Sequence, residues 1–134
     1  MVKKLLLFFI FIFSITSFSQ YYKLSDQAKI SILTVGSGDE LYSIYGHTGL
    51  RIMDVANNID VVYNYGNFDF ATENFYGKFI KGDLQYFVAV CSFQNFMEEY
   101  QITDREVLEQ NLIISTDQKQ KLFGVFDGHG GCAT

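Results

Sequence analysis

The chain has 134 residues, 10 basic against 15 acidic, a formal net charge of -5, and 49% hydrophobic residues, with 14 Phe and 9 Tyr but no Trp or Pro. An acidic chain of this kind repels a phosphate backbone rather than releasing its counterions, so a nucleic acid partner is excluded. The length suits one hydrophobic core and is too short for two comfortable domains.

Residues 1–19 read as a signal peptide. Met1-Val2-Lys3-Lys4 is a basic start, Leu5 to Ile15 is almost wholly apolar, and Ser17 and Ser19 put small residues at a cleavage site before Gln20. The apolar run is shorter than the ~20 residues of a spanning helix. Its removal leaves 8 basic residues against 15 acidic ones. The mature domain, residues 20–134, is expected outside the cytoplasm, in the periplasm or cell envelope.

Lys29 to Val35 alternates apolar and polar residues and ends in Gly36-Ser37-Gly38-Asp39, the pattern of a strand and turn. Leu50 to Asp54 and Asp60 to Tyr65 flank Asn57-Asn58, a pair that tolerates positive φ, and predict a hairpin. Thr72 is placed to cap a short helix over 73–80 that stops at Gly82. Leu84 to Cys91 is a continuous apolar run and reads as a core strand, followed by a helix over 93–100. Arg105 to Ile114 reads as a strand, and Ser115-Thr116-Asp117 as the cap of a helix through Phe123. The sum is an α+β domain with a mainly antiparallel sheet and short helices.

The candidate chemistry centres on Gly46-His47-Thr48-Gly49-Leu50-Arg51, which places His47 where a small-residue turn enters a strand, as a general base requires. Tyr42, Tyr45, Tyr63, Tyr65, Asn64 and Asp69 are candidates to orient it, Asn64 and Asp69 being turn-capping residues by default. The aromatic segments around Phe68 and Phe75 are expected to pack the core, a part of them lining a groove. Arg51 reads as an exposed or ion-paired strand residue rather than a phosphate clamp. Cys91 reads as a small buried hydrophobe, with a Cys91–Cys132 bridge as the alternative.

The runs LTVGSGDELYSIYGHTGLRI, VVYNYGNFDF, NFYGKFIKGDLQY and DREVLEQNLIISTDQKQKLF together resemble the Lnb N-terminal periplasmic domain, a family related to bacterial lipoprotein N-acyltransferases. The resemblance implies a fold similar to the circularly permuted papain-like enzymes, such as lecithin:retinol acyltransferase and NlpC-type peptidases. It also implies His47 as base and Cys132, in Cys132-Ala133-Thr134, as nucleophile, with no cofactor or metal. The implied partners are a phospholipid acyl donor and a lipoprotein amine acceptor, with contact to a membrane surface. The family pattern has Asn before this Cys, where the chain has Gly131, and a helix after it, for which two residues leave no room. The expectation is therefore a fold incomplete at its C-terminus, a sheet with an exposed apolar face, and a fragment that is inactive alone.

Two other readings stand beside this one. The domain could be a non-catalytic lipid-binding or interaction module of the envelope. The segment GVFDGHGG also resembles the metal-binding motif of metal-dependent protein phosphatases, in which Asp127 and the Gly128 carbonyl would hold a divalent cation; its plain alternative is a glycine-rich tail.

Overall fold

The computed structural model describes residues 22–127. Five strands form one sheet: β1 (Lys29–Val35), β2 (His47–Asp54), β3 (Ile59–Asn67), β4 (Phe87–Ser92) and β5 (Val107–Asn111). Three helices, α1 (Phe75–Lys81), α2 (Phe93–Ile102) and α3 (Thr116–Asp127), complete an α+β domain. The strand order is β4-β3-β2-β1-β5 and every pair is antiparallel. Strands β1 to β4 thus form a meander, and the chain crosses one sheet face through α2 before β5 pairs with the free edge of β1.

Alternation along the strands sorts side chains to two faces. On one face Ile30, Ile52 and Tyr63 join Leu24, Ala28 and Phe123 of α3 in a buried cluster, with Leu122 and Phe126 packed against it. On the other face Leu33, Val35 and Val62 meet Phe96 and Tyr100 of α2. Among the described residues both faces are therefore packed against helices, in contrast to the open apolar face expected. Ser115 starts α3 with a reciprocal cap: its Oγ accepts from Gln118 N at 3.3 Å, and its own N–H donates to Gln118 Oε1 at 2.9 Å. One turn later the side chains of Lys119 and Gln120 bind the backbone of residues 22–28, which ties the start of the domain to α3.

The predicted hairpin forms around a 3-10 turn, Val55–Asn57, closed by Asn58 at φ 55°. Asp54 at its base is fully buried and accepts hydrogen bonds from Ser25 N at 2.7 Å, Ser25 Oγ at 2.6 Å and Asn57 Nδ2 at 2.7 Å. Arg51 forms an ion pair with Asp60, its Nε and Nη2 donating to the two carboxylate oxygens at 2.7 and 2.8 Å. It also bridges to Glu109 on β5 and lies 3.4 Å over the Phe93 ring. This is the structural role expected of it.

Three expectations are corrected. Helix α1 is entered from Asn74 at φ 54° with no side-chain cap, so Thr72 does not cap it, although Gly82 ends it at φ 74° as anticipated. The apolar run after Leu84 is an edge strand, half-buried along most of its length, rather than a core strand. Its pairing with β3 is interrupted by a bulge between Asn64 and Asn67, where Gly66 takes φ 75°. The strand expected over 105–114 is shorter, which leaves Arg105 outside the sheet.

Burial opposes ionisation of Asp54, but the hydrogen bonds from Ser25, Asn57 and the Ala56 backbone together hold its carboxyl below the usual carboxylate range. A lowered folded pKa stabilises the fold above the unfolded carboxylate value of about 3.9, and this stabilisation is lost as pH falls through the folded value. Asp54→Asn is expected to lose about 1–3 kcal/mol at neutral pH and to show a shallower loss of stability toward acid. Urea unfolding from pH 7 to pH 3 measures both; an acid limb as steep as that of the parent would refute the assignment.

Candidate functional site

His47 is the first residue of β2 and pairs with Val35, the last of β1. The preceding Gly46 has φ 76°, and a Cβ there would lie 2.4 Å from the Val35 carbonyl oxygen, so only glycine brings the chain into β2 this tightly. Two residues on, Gly49 faces the same side as His47. A Cβ at Gly49 would stand 2.8 Å from Val62 Cγ1, 3.2 Å from Phe96 Cε2 and 3.4 Å from Asn64 Oδ1. The missing side chain is the space through which Asn64, on the neighbouring strand, reaches His47.

Asn64 is buried on β3, between Gly49 of β2 and Ala89 of β4. Its Nδ2 donates to the Cys91 sulfur at 3.5 Å, and its Oδ1 lies 3.3 Å from His47 Nε2. With the amide nitrogen committed to sulfur, the tautomer that satisfies the second contact carries its proton on Nε2. The lone pair of Nδ1 is then the free base of the ring. The default reading of Asn64 as a turn cap is thus replaced by an orienting role. Asp69, by contrast, does cap a turn, accepting from Ala71 N at 2.8 Å.

The His47 ring stacks on Tyr100 of α2 at a centroid distance of 6.4 Å and an interplanar angle of 27°. Burial first, and then the charge of Glu99, push the Tyr100 hydroxyl up to about 12, with Arg105 opposing. Tyr100 therefore stays protonated at physiological pH and faces the site as a neutral wall. Sequence reasoning missed it; the available signal was its position four residues after Phe96 on an amphipathic helix.

Of the tyrosines considered as orienting groups, Tyr45 is 89% exposed, and Tyr63 and Tyr65 pack against Phe126 of α3. Tyr42 lies in an aromatic cluster with Phe68, Phe70 and Phe75, ring centroids 5.0–6.2 Å apart. As expected, the cluster is divided: Phe75 is buried in the core, whereas Phe70 is 61% exposed. With His47 and Tyr100, its Tyr42, Phe68 and Phe70 line an open cleft of about 250 Å³, which also reaches Phe87 at the start of β4 and the Gly66 bulge. Ser43, Glu99 and Arg105 make the polar part of its wall.

Cys91 is half-buried and free, not merely a core hydrophobe. Burial pushes its thiol up, Glu99 adds to the effect, and the Asn64 hydrogen bond offsets part of it. Such a thiol is a poor nucleophile. Cys132, the expected nucleophile, and Gly128 of the glycine-rich motif lie outside the described residues; Asp127 is the last residue of α3. Among the described residues no group of three or more His, Cys, Asp or Glu side chains is placed to hold a metal ion, and no helix is long and apolar enough to cross a membrane.

Residues 17–127 match the family described as the Lnb N-terminal periplasmic domain. The chain belongs to this family. The match spans all five strands and the whole of α3, so the Lnb-type domain and the sheet with its cleft are the same unit. The family's description places such domains in the periplasm. No curated protein and no solved structure matches the chain significantly.

The cleft of this Lnb-type domain depends on the empty space at Gly49. Gly49→Ala is expected to destabilise the domain by about 1–3 kcal/mol, because Val62 and Phe96 must both yield. It should also break the His47–Asn64 contact. Chemical denaturation and the His47 ring signals in NMR spectra measure the two effects; an unchanged midpoint and spectrum would show that the site does not need this space.

Proposed function

We propose that this domain carries the base of a cysteine–histidine acyl-transfer site. In it, His47 activates the thiol of Cys132, and a fatty acyl chain passes from a phospholipid through a thioester to an amine. The observation that carries the reading is the His47–Asn64 contact, which holds an imidazole with free Nδ1 at the edge of an aromatic-walled cleft. An Asn orienting the His of a Cys–His pair is the arrangement of papain-like enzymes, which supports the fold resemblance that the sequence suggests. The acceptor proposed, by the family resemblance, is the free N-terminus of a lipoprotein's lipidated cysteine. Export by residues 1–19 to the periplasmic side of the envelope belongs to the same proposal.

Each step has a balanced course. His47 takes the Cys132 proton, the thiolate attacks the ester carbonyl, a C–S bond forms and the ester C–O bond breaks, and the departing lysophospholipid alkoxide takes the proton from the imidazolium. The acceptor amine then attacks the thioester carbonyl, its C–N bond replaces the C–S bond, and its proton passes by way of His47 to restore the thiol. Two half-reactions let one cleft serve two large amphiphiles in turn. Asn64 keeps Nε2 occupied throughout, so that proton traffic runs through Nδ1.

The alternative is a lipid-binding module of the envelope without chemistry. It is favoured by one observation: the thiol nearest to His47 among the described residues, Cys91, is separated from it by the Asn64 amide. Intact-mass spectrometry of the protein after incubation with phospholipid vesicles decides between the two. Against the inactivity expected of the chain alone from its sequence, the acyl-transfer reading requires a hydroxylamine-labile fatty acyl adduct that is absent in Cys132→Ser, reduced by at least about a hundredfold in rate in His47→Ala, and retained in Cys91→Ser. Lipid binding with no adduct on any variant would leave the binding module; an adduct that survives Cys132→Ser would remove Cys132 from the mechanism.

A further inference from the structure

The polar wall of the cleft contains a cation and an anion that do not neutralise each other. Arg105 donates from Nε and Nη2 to the Gly36 carbonyl at 2.9 and 2.7 Å, and its guanidinium carbon lies 4.9 Å from the centroid of the Tyr100 ring. These contacts fix the plane of the fork. The remaining N–H groups of Arg105, the whole of Nη1 included, make no hydrogen bond among the described residues, and no carboxylate there is within ion-pair distance. Arg51, with two carboxylates on it, shows what a purely structural arginine looks like in this fold. Glu99, one residue before Tyr100, lines the same cleft and is likewise without an ion-pair partner among the described residues.

The opposite wall is apolar. Phe68, Phe70 and Phe87 line it, and it continues out of the cleft through the Phe70–Phe75 and Phe75–Tyr76 ring contacts, at 5.3 and 5.2 Å, onto exposed surface. Phe70 is 61% exposed and Tyr76 52%. A cleft of about 250 Å³ is smaller than the ~300–1,000 Å³ of sites that enclose a drug-sized ligand. It has room for a head group and the start of one chain, and the rest of that chain would run over the exposed rings.

We infer that the cleft is a head-and-chain site for a zwitterionic phospholipid, in which Arg105 takes the phosphate, Glu99 faces the ammonium group and the phenylalanine wall takes an acyl chain. A planar fork pinned from behind is suited to two parallel bonds to phosphate oxygens. An unpaired carboxylate beside it disfavours a purely anionic ligand and accepts a zwitterion. His47 lines the same cleft, and this binding mode sets the ester that joins head to chain beside its ring. The inference rests on the acyl-transfer reading for its meaning, but it concerns binding and is tested without turnover.

The test titrates Cys132→Ser protein, which cannot form the adduct, with water-soluble dihexanoyl-phosphatidylethanolamine, dihexanoyl-phosphatidic acid, dihexanoylglycerol and inorganic phosphate, followed by calorimetry and by NMR. The phosphatidylethanolamine is expected to bind most tightly. Arg105→Gln should weaken both phosphate-bearing lipids about tenfold and leave dihexanoylglycerol within about twofold, as loss of one charge-assisted contact requires. Glu99→Gln should weaken the phosphatidylethanolamine alone and bring phosphatidic acid level with it. Equal weakening of all three lipids by Arg105→Gln would reduce Arg105 to a support for Gly36 and Tyr100, and overturn the assignment. Inorganic phosphate that binds as tightly as the lipids would make this a free-phosphate site, again overturning it. Should Arg105→Gln fail to fold, Glu99→Gln carries the test, because its exposed side chain supports no other element; an unchanged lipid order in that variant would refute the inference. Failure here with a positive adduct in the vesicle assay would leave acyl transfer standing with a different head-group selection.

Discussion

Phe96 has no exposed surface because β2 presents no side chain beneath it, and the placing of Tyr100, His47 and Asn64 follows from that contact. At Gly49 the backbone of β2 is open to α2, so the helix settles with Phe96 against Val62 and Leu33. One turn further on, Tyr100 comes over the entrance of β2, where His47 stands. The same gap lets the Asn64 side chain pass between the strands. A larger residue at position 49 would lift the helix and block the amide together, so packing and site geometry share one cause.

The polar groups in this interior are held in two different ways. Asp54 is buried without a cation, and four neutral donors compensate the loss of water. Arg51, midway along the central strand, meets its carboxylates on the sheet face, where β5 brings Glu109 and β3 brings Asp60 to it. Both clusters are complete within the fold. The cleft is the contrast: His47, Glu99 and Arg105 line it with part of their hydrogen-bonding capacity facing outward, and exposed aromatic rings surround its mouth. Uncompensated polar groups beside exposed apolar surface are what a ligand site requires and what a folding core avoids.

The elements that depend on local pattern were legible in the sequence. The largely alternating pattern over 29–35 and the Asn57-Asn58 pair pointed to β1 and the hairpin, and Ser115-Thr116-Asp117 marked the start of α3. Features set by the partner strand were not. The run through Cys91 is as apolar as a central strand, yet it sits at the sheet edge because β5 takes the other edge after α2 has crossed over. Asn74 enters α1 in a left-handed conformation, which no spacing rule anticipates at a residue two positions after a good capping threonine. His47 was singled out by its turn. Its relation to Asn64, Cys91 and Tyr100 depends on register across three strands and on where a helix lands, and a linear reading carries neither.

The two cysteines divide by the same geometry. Asn64 accepts on one side from the imidazole and donates on the other to the Cys91 sulfur, so the amide is an electrical spacer between base and thiol and not a proton path. An amide has no labile proton to relay at neutral pH, and the Cys91 thiol is pushed up by burial as well. Both facts favour the protonated Cys91 thiol, while the Asn64 Oδ1 contact orients the histidine ring. Nδ1, the ring nitrogen that Asn64 leaves free, is therefore not coupled to Cys91 through this amide.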